Sequence, residues 1–329
     1  MSAVRPILIA GLGARGHSPA VRAFCAKHRV PAMVTYKAKG VVPDRDPHFA
    51  GVFTNGAIEG EILDQADLIV AAGMDRVELL PRPWKWRAPV VECASGIPAA
   101  LEALTLGDSQ WDFDDVRRRV EAQRARIRIP SEQLTADRVV DVVARLAADT
   151  SRVTVDAGAH MLPATMLWPV AAPNEMLISN GLSTMGFALP AAIGAALIGR
   201  GEGAPGVGEA RDRATVALTG DGGLLICAGE LLTAVRERLH IIVVVFNDAA
   251  LTLIDVKQQQ RRMRRAGVAI GDVAWAAIAE SVRMAAHVAT TEEELEAATK
   301  AALAYRGPSL IDARIDPSTY PEMLRVVRG

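Results

Sequence analysis

Residues 214–248 read ATVALTGDGGLLICAGELLTAVRERLHIIVVVFND and contain two apolar runs separated by an amphipathic stretch. The runs TVALTG and HIIVVVF are rich in β-branched residues, which is typical of buried strands. The intervening LLICAGELLTAVRERL spaces its apolar residues as a helix does. Strand, helix and strand in this order predict a parallel βαβ unit with both faces of its sheet covered.

The same alternation continues on both sides of this segment. Strands are predicted at PILIAG, PAMVTY, ADLIVAAG and PVVECA, and later at RVTVDAG, EMLISN, RMAAHVA and SLIDARID. The charged stretch DFDDVRRRVEAQRARIRI separates the two groups and predicts a solvated helix leading into a connector. We therefore predict an α/β protein with two doubly wound parallel-sheet domains, over residues 1–129 and 130–329. A Gly-rich exposed loop is predicted over residues 200–213.

Composition excludes several classes of protein. The 37 Lys and Arg residues against 38 Asp and Glu residues leave no positive field to bind nucleic acid or an acidic membrane. The three cysteines form neither a disulfide framework nor a paired metal site. We find no signal peptide and expect a cytoplasmic protein. The uncharged stretch 176–199 contains glycines and Pro190, so we predict that it does not span a membrane.

Two acidic residues follow the strands of the quoted segment. Asp221 lies in a Gly-Asp-Gly-Gly turn after the first strand, and Asp248 follows the second strand. Because the carboxyl ends of parallel strands meet at one sheet edge, we expect the two carboxylates to be neighbours there. With a backbone carbonyl and phosphate oxygens they would form an octahedral Mg²⁺ site. The alternative is that both residues only cap strand ends.

A second glycine-rich motif lies near the N-terminus. Residues 11–16, GLGARG, follow a predicted strand and satisfy the G-x-G-x-x-G pattern of a dinucleotide site. The acid expected at the end of the next strand is missing, because that strand ends in Thr35-Tyr36-Lys37. The alternatives are a glycine turn that only lets strand and helix pack, an ADP- or FAD-type ligand, and NAD binding, which has the weakest support.

Three collinear motifs resemble the thiamine diphosphate (ThDP) enzymes, most closely the acetolactate synthase-like branch. They are G-D-G-x(24)-N-D at 220–248, GLSTMGFALPAAIGA at 181–195 and VDAGAHM at 155–161. The first is similar to the family's diphosphate and metal signature. The resemblance extends over essentially the whole chain. It identifies residues 1–129 as a central Rossmann-like domain and 130–329 as the domain that binds the diphosphate and Mg²⁺.

The resemblance implies a role for individual residues. Asp221 and Asp248 would bind Mg²⁺ through their side chains and Ala250 through its carbonyl. The remaining assignments concern ThDP itself: Gly222 and Gly223 approaching the diphosphate, Gly158 and His160 near the cofactor, Met185 forcing the cofactor into a V shape, and the Ser183 carbonyl accepting from the 4′-amino group. Met185 and Ser183 are thus the catalytic candidates. FAD or ADP is a further cofactor candidate.

The resemblance also implies a reaction, namely decarboxylation or carboligation of a 2-oxo acid by a lyase or transferase. Three departures bear on it: Asp248 stands where the family has asparagine, Lys257 stands where biosynthetic members have tryptophan, and a pyrimidine-binding domain with the activating glutamate is not recognised. We therefore expect a split subunit or a truncated form that is inactive without that domain. A homo- or hetero-oligomer, at least a dimer, is expected.

Two alternatives remain open. The chain would instead be a non-catalytic nucleotide-binding or regulatory subunit that uses the loop at 11–16. Separately, the run Lys257–Arg265 carries five positive charges, which predicts a solvated helix face, a mobile lid over a substrate anion, or, least favoured, a nucleic-acid contact.

Overall fold

The computed structural model describes residues 3–179, 181–200 and 213–329. The strands are β1 (Pro6–Ala10), β2 (Ala32–Val34), β3 (Phe49–Val52), β4 (Leu68–Ala72), β5 (Val90–Cys93), β6 (Ser151–Val155), β7 (Met176–Ile178), β8 (Ala214–Gly220), β9 (Ile241–Asn247), β10 (Ala285–Ala289) and β11 (Ser309–Arg314). The α-helices are α1 (Ser18–His28), α2 (Gly60–Leu63), α3 (Ile97–Ala103), α4 (Phe113–Ile127), α5 (Ala136–Ala147), α6 (Met161–Leu167), α7 (Ala188–Arg200), α8 (Asp221–Cys227), α9 (Glu230–Arg236), α10 (Thr252–Gln260), α11 (Trp275–Ser281), α12 (Glu292–Tyr305) and α13 (Tyr320–Arg328). Apart from its two ends, the loop predicted over 200–213 lies outside the described residues.

The chain divides into two compact units. The first comprises Met1–Ile127, Pro169–Met176 and Leu324–Gly329, and the second comprises Arg128–Trp168 and Leu177–Met323. The first division thus falls two residues before the predicted boundary. The two later segments of the first unit were not expected, because composition along the chain does not reveal a return to an earlier unit.

The first unit contains a five-stranded sheet in the order β3-β2-β1-β4-β5. All neighbouring pairs are parallel. Strand β1 lies in the middle and is buried along its whole length, because it is covered on both faces. Strand β3 was not among the predicted strands.

The second unit contains a six-stranded sheet in the order β10-β11-β9-β8-β6-β7. Strand β8 pairs in parallel with β6 on one side and with β9 on the other. All seven residues of β9 are buried, and each buried Val or Ile side chain contributes about 1.5–3 kcal/mol relative to exposure. The predicted α/β class with two doubly wound parallel sheets is confirmed.

The strand order creates a crevice between β6 and β8. The chain leaves β6 towards β7 on one side and leaves β8 towards β9 on the other. Ligands of open α/β sheets bind beyond the carboxyl ends of the strands at such a reversal. The register pairs Val155, the last residue of β6, with Leu218, and Gly220, the last residue of β8, with Phe246. The strands β8 and β9 therefore extend past the end of β6 by two and three residues.

The described residues of the uncharged stretch 176–199 include β7 and most of α7. Helix α7 is 13 residues long. Among the described residues, none of the helices combines the length and apolar character that crossing a membrane requires.

Candidate functional site

The structure brings Asp221 and Asp248 together at the carboxyl edge of the second sheet. Asp221 begins α8 directly after β8, and Asp248 follows β9, the neighbouring strand. Asp221 is only 3% exposed. Burial, with the nearby charge of Asp248 as the second cause, raises the pKa of Asp221 to about 6. The two carboxylates are therefore close enough to repel each other, and a cation between them would relieve that repulsion.

One oxygen of Asp221 is incompletely satisfied. Its Oδ1 accepts a 2.6 Å hydrogen bond from the amide of Gly222, whereas its buried Oδ2 makes no hydrogen bond of ordinary geometry among the described residues. The amides of Ala249 and Ala250 lie near this carboxylate and lower its pKa, as the Gly222 amide does. Asp248 is held by the Thr252 hydroxyl at 2.7 Å and the Ala250 amide at 3.2 Å. A buried, incompletely satisfied oxygen, next to a second carboxylate, is a fitting ligand for a hard cation.

The backbone around Ala250 supports the third predicted ligand. Ala249 adopts a positive φ of 59°. The adjoining backbone forms an antiparallel bridge, in which the Leu251 amide donates to Val268 and the Ile270 amide donates to the Ala249 carbonyl. In such a bridge the N–H and C=O of the intervening residue point away from the opposite segment. The Ala250 carbonyl is therefore directed away from residues 268–270 and remains a candidate ligand.

The donor set matches Mg²⁺ rather than a softer metal. Mg²⁺ is held by one or two carboxylates together with phosphate oxygens and water. The described residues contain no group of three or more His, Cys, Asp and Glu side chains suited to a metal ion. An ion held between Asp221 and Asp248 would need further ligands from outside these two side chains.

The glycines of the turn have a packing reason of their own. A Cβ on Gly222 would lie 2.4 Å from Leu251 Cδ2 and 3.1 Å from Met185 Cε. A Cβ on Gly223 would lie 2.3 Å from Asp156 Oδ2. At Gly222 the neighbours are the ends of flexible side chains and can move, whereas at Gly223 the neighbour is a carboxylate fixed by hydrogen bonds. Close packing by itself therefore favours glycine most strongly at Gly223. The approach of both glycines to a diphosphate stays a prediction.

The turn before α7 carries the two catalytic candidates. Met185 is half-buried and reaches the space above Gly222. Ser183 lies two residues earlier, exposed and at a positive φ of 48°. The adjacent Leu182 is 95% exposed. The structure thus brings Met185 to the Asp221 turn and leaves Ser183 on an open part of the same segment.

His160 lies beneath the same edge. Its ring stacks on Phe246 with the centroids 5.0 Å apart, and it packs against Gly158 and Gly220. Burial lowers the pKa of His160 to about 4, so the imidazole is neutral. Its Nε2 is buried and has no hydrogen-bond partner among the described residues. Like Asp221 Oδ2, this nitrogen is a polar atom that a ligand could satisfy.

Two residues at this edge were not foreseen from the sequence. Asp156, at the end of β6, hydrogen-bonds to two of the segments described above. Tyr320 is fully buried, and its pKa is raised by burial and further by Asp248 and Asp221. An acid directly after a buried strand is a usable signal for Asp156, but a tyrosine near the C-terminus carries none.

The loop at 11–16 is filled by the chain itself. The Leu12 amide donates to Glu78 Oε2 at 2.7 Å, and the Thr35 hydroxyl donates to Glu78 Oε1. Glu78 is only 2% exposed. A Cβ on Gly11 would lie 2.4 Å from the Cα of Met74. These contacts favour the glycine-turn interpretation over a pyrophosphate ligand at this loop.

The basic run Lys257–Arg265 lies on the surface. Arg265 pairs with Asp255 at 2.8 Å. The side chains of Lys257, Arg261, Arg262 and Arg264 are exposed. Exposure is consistent with a solvated face and with a lid, so both interpretations stay open.

Comparison with known proteins places both units in one family. Residues 1–92 match the family described as "Thiamine pyrophosphate enzyme, central domain", and residues 156–313 match "Thiamine pyrophosphate enzyme, C-terminal TPP binding domain". The chain is 26% identical to an acetolactate synthase of Bacillus subtilis, covering 95% of this chain and 59% of that protein.

Two further relatives match with similar identity and coverage. A putative thiamine pyrophosphate-containing protein of Bacillus subtilis, YdaP, is 29% identical over 95% of this chain and 57% of its own length. A probable 2-ketoarginine decarboxylase of Pseudomonas aeruginosa, AruI, is 28% identical over 95% of this chain and 58% of its own. The chain thus spans less than three fifths of the length of each of these relatives.

Proposed function

The chain belongs to the thiamine pyrophosphate enzyme family, and on that premise we propose that its second unit binds ThDP through Mg²⁺. We further propose that the enzyme to which it contributes decarboxylates a 2-oxo acid and joins the product to a second carbonyl compound. The observation that carries this proposal is the buried, incompletely satisfied Oδ2 of Asp221 beside Asp248, at the strand reversal of the second sheet.

The residues fit the cofactor. Asp221, Asp248 and the Ala250 carbonyl would hold Mg²⁺, which in turn would hold the diphosphate. When bound, ThDP supplies a nucleophilic carbon and an electron sink for the loss of CO₂. The neutral imidazole of His160 can donate its one N–H from beneath the same edge. Because the donor is neutral, it would not change the net charge of the metal and the diphosphate at the site.

The remaining roles concern orientation. Met185 would press on the bound cofactor and so maintain its bent shape. The Ser183 carbonyl would accept a hydrogen bond from the 4′-amino group. Both residues act by restricting geometry, which lowers the barrier by prepaying the loss of orientational freedom.

We propose that the activating glutamate comes from a pyrimidine-binding domain, in a partner subunit or elsewhere in a longer protein. Exposed apolar side chains near the Met185 turn support a docking surface there. Leu182 of that turn is exposed, and so is Ile226 of α8, whose Cγ2 lies 3.0 Å from where a Cβ on Gly186 would be. Exposed apolar side chains that lie together are typical of protein interfaces. An oligomer of at least two chains and a cytoplasmic location remain expectations.

The substrate is left open at the level of the individual 2-oxo acid. By the family resemblance, Lys257 stands where biosynthetic acetolactate synthases carry a tryptophan. The second substrate therefore need not be the one that those enzymes use. The named relatives include a synthase and a probable decarboxylase, which act on different compounds.

The test is calorimetric titration of the purified chain with ThDP, with and without Mg²⁺. We expect Mg²⁺-dependent binding in the wild type and an affinity at least about 100-fold weaker in Asp221→Ala, because a metal ligand is lost. Asp114→Ala removes an exposed carboxylate that pairs with Arg117 on the same helix, in the other unit, and is the control. Near-normal binding by Asp221→Ala would refute the site.

The same titration discriminates between the two functional hypotheses. A regulatory subunit would bind ADP, FAD or NAD more tightly than ThDP with Mg²⁺. We do not favour that hypothesis, because Glu78 already accepts from the Leu12 amide. Adding a pyrimidine-binding domain protein should yield turnover with some member of a panel of 2-oxo acids. No turnover with any member would count against the proposed reaction.

A further inference from the structure

The Met185 turn and the Asp221 turn are joined by one buried carboxylate, that of Asp156. Asp156 follows the last residue of β6 and is fully buried. Its carboxylate therefore lies at the crevice between β6 and β8, inside the fold and beneath the segments to which the cofactor contacts are assigned.

All four hydrogen bonds to this carboxylate come from the site's own segments. Oδ1 accepts from the amides of Ala157 at 3.0 Å and Phe187 at 3.1 Å. Oδ2 accepts from the amide of Gly186 at 3.0 Å and the hydroxyl of Thr219 at 2.8 Å. An ionised carboxylate offers about four acceptor positions, so Asp156 is saturated. Hydrogen bonds to a charged acceptor are roughly twice as strong as neutral ones.

Two of the four donors lie close in sequence to Met185 and Asp221. Gly186 directly follows Met185, and Thr219 lies two residues before Asp221. Gly186 has a positive φ of 76°, which lets the turn present its amide to the carboxylate. Oδ2 also lies 2.3 Å from where a Cβ on Gly223 would be, so the carboxylate supports the glycine turn from below.

We propose that Asp156 is a positioning residue that sets the distance between Met185 and the Asp221 turn, and with it the geometry of the bound cofactor. This inference rests on the proposed function. It assigns Asp156 no contact with the cofactor or substrate. The residue acts through Met185 on one side and through Thr219 on the other.

A merely structural role is the competing explanation, and Thr154 provides a matched control for it. Thr154 lies two residues earlier on β6, is fully buried, and donates from its hydroxyl to the Ala188 carbonyl at 2.7 Å. Thr154→Val therefore removes a buried hydrogen bond between β6 and the start of α7. It removes none of the four hydrogen bonds to the Asp156 carboxylate.

The first measurement requires no cofactor. In protein labelled with ¹³C at the methionine methyl groups, the Met185 resonance is identified by its loss in Met185→Leu. Asp156→Asn turns an NH₂ group towards N–H donors, so at least one of them loses its acceptor. We expect Asp156→Asn to shift the Met185 resonance and Thr154→Val to leave it in place. Thr219→Val keeps the carboxylate and removes one donor, so we expect a smaller shift in the same direction.

The second measurement is a double-mutant cycle on Mg²⁺-dependent ThDP binding. We expect Asp156→Asn to weaken binding about 10- to 100-fold in the wild type and much less in a Met185→Ala background. Thr154→Val should lower the melting temperature about as much as Asp156→Asn does, but should leave the affinity for ThDP within about twofold of the wild-type value.

The possible failures can be told apart. If the wild-type chain does not bind ThDP with Mg²⁺, the proposed function fails, whereas the methyl resonance still reports on Met185. An unmoved Met185 resonance in Asp156→Asn would overturn the inference. Additive losses in the cycle, or equal effects of Thr154→Val, would also overturn it. Should Asp156→Asn not fold, Thr219→Val decides by the same criteria.

Discussion

Replacing His160 with phenylalanine should remove a pH dependence of stability that the buried imidazole creates. Burial lowers the pKa of His160 from its ordinary value of 6.5 to about 4 in the folded chain. As the pH falls below 6.5, the unfolded chain binds a proton that the folded chain rejects, so stability is lost until about pH 4. Because a tenfold change in proton affinity corresponds to about 1.4 kcal/mol, the full loss amounts to about 3 kcal/mol.

The assay is urea denaturation followed by circular dichroism at several values between pH 4 and pH 8. Other ionisable groups contribute equally to both proteins, so the difference between wild type and His160→Phe isolates the imidazole. Phenylalanine retains a ring to stack on Phe246. His287→Phe, in the edge strand β10 where the ring is partly open to water, controls for the added phenyl group. A difference that stays flat from pH 7 to pH 4 would show that His160 is not a buried neutral base.

Two further substitutions test the packing of the glycine turn and the closed loop. Gly223→Ala should cost about 1–3 kcal/mol of stability and most of the Mg²⁺-dependent ThDP binding, because its Cβ would lie 2.3 Å from Asp156 Oδ2. Gly229→Ala, whose Cβ meets nothing within 4 Å, should cost far less, and equal effects in calorimetry and titration would contradict this reasoning. Glu78→Ala should lower the free energy of unfolding by about 1–3 kcal/mol, because the Leu12 amide and the Thr35 hydroxyl lose their acceptor. An unchanged urea midpoint would refute this account of the loop.

Local patterning predicted the second sheet well but missed features that depend on single glycines. The strands around 214–248 were predicted to within one residue or so, since long apolar runs are the strongest signal. The helix predicted between them is interrupted at residues 228–229 and forms α8 and α9. Strand β3 was missed because Gly51, at a positive φ of 101°, interrupts a short run whose pairing with β2 is irregular. Glycine supports several backbone conformations, so its neighbours cannot reveal which one is used.

For the candidate site, what could be read from the sequence was proximity at a strand edge. The approach of Asp221 to Asp248 follows from the parallel order alone. The roles of Asp156 and Glu78 did not, because hydrogen bonds between segments distant along the chain leave no spacing pattern. The Gly11–Gly16 motif also shows that a sequence pattern does not reveal contacts with distant residues. Its pattern is correct, yet a carboxylate from residue 78 fills the position that the pattern reserves for a phosphate.

The incompletely satisfied oxygen of Asp221 has a consequence for how the protein is handled. A fold that keeps a buried carboxylate oxygen incompletely satisfied is less stable than it would be with every group satisfied. A ligand that binds only the folded state raises the unfolding free energy in proportion to the logarithm of its concentration. On the proposed function, Mg²⁺ should therefore stabilise the folded second unit, and chelating buffers used in purification should lower its stability.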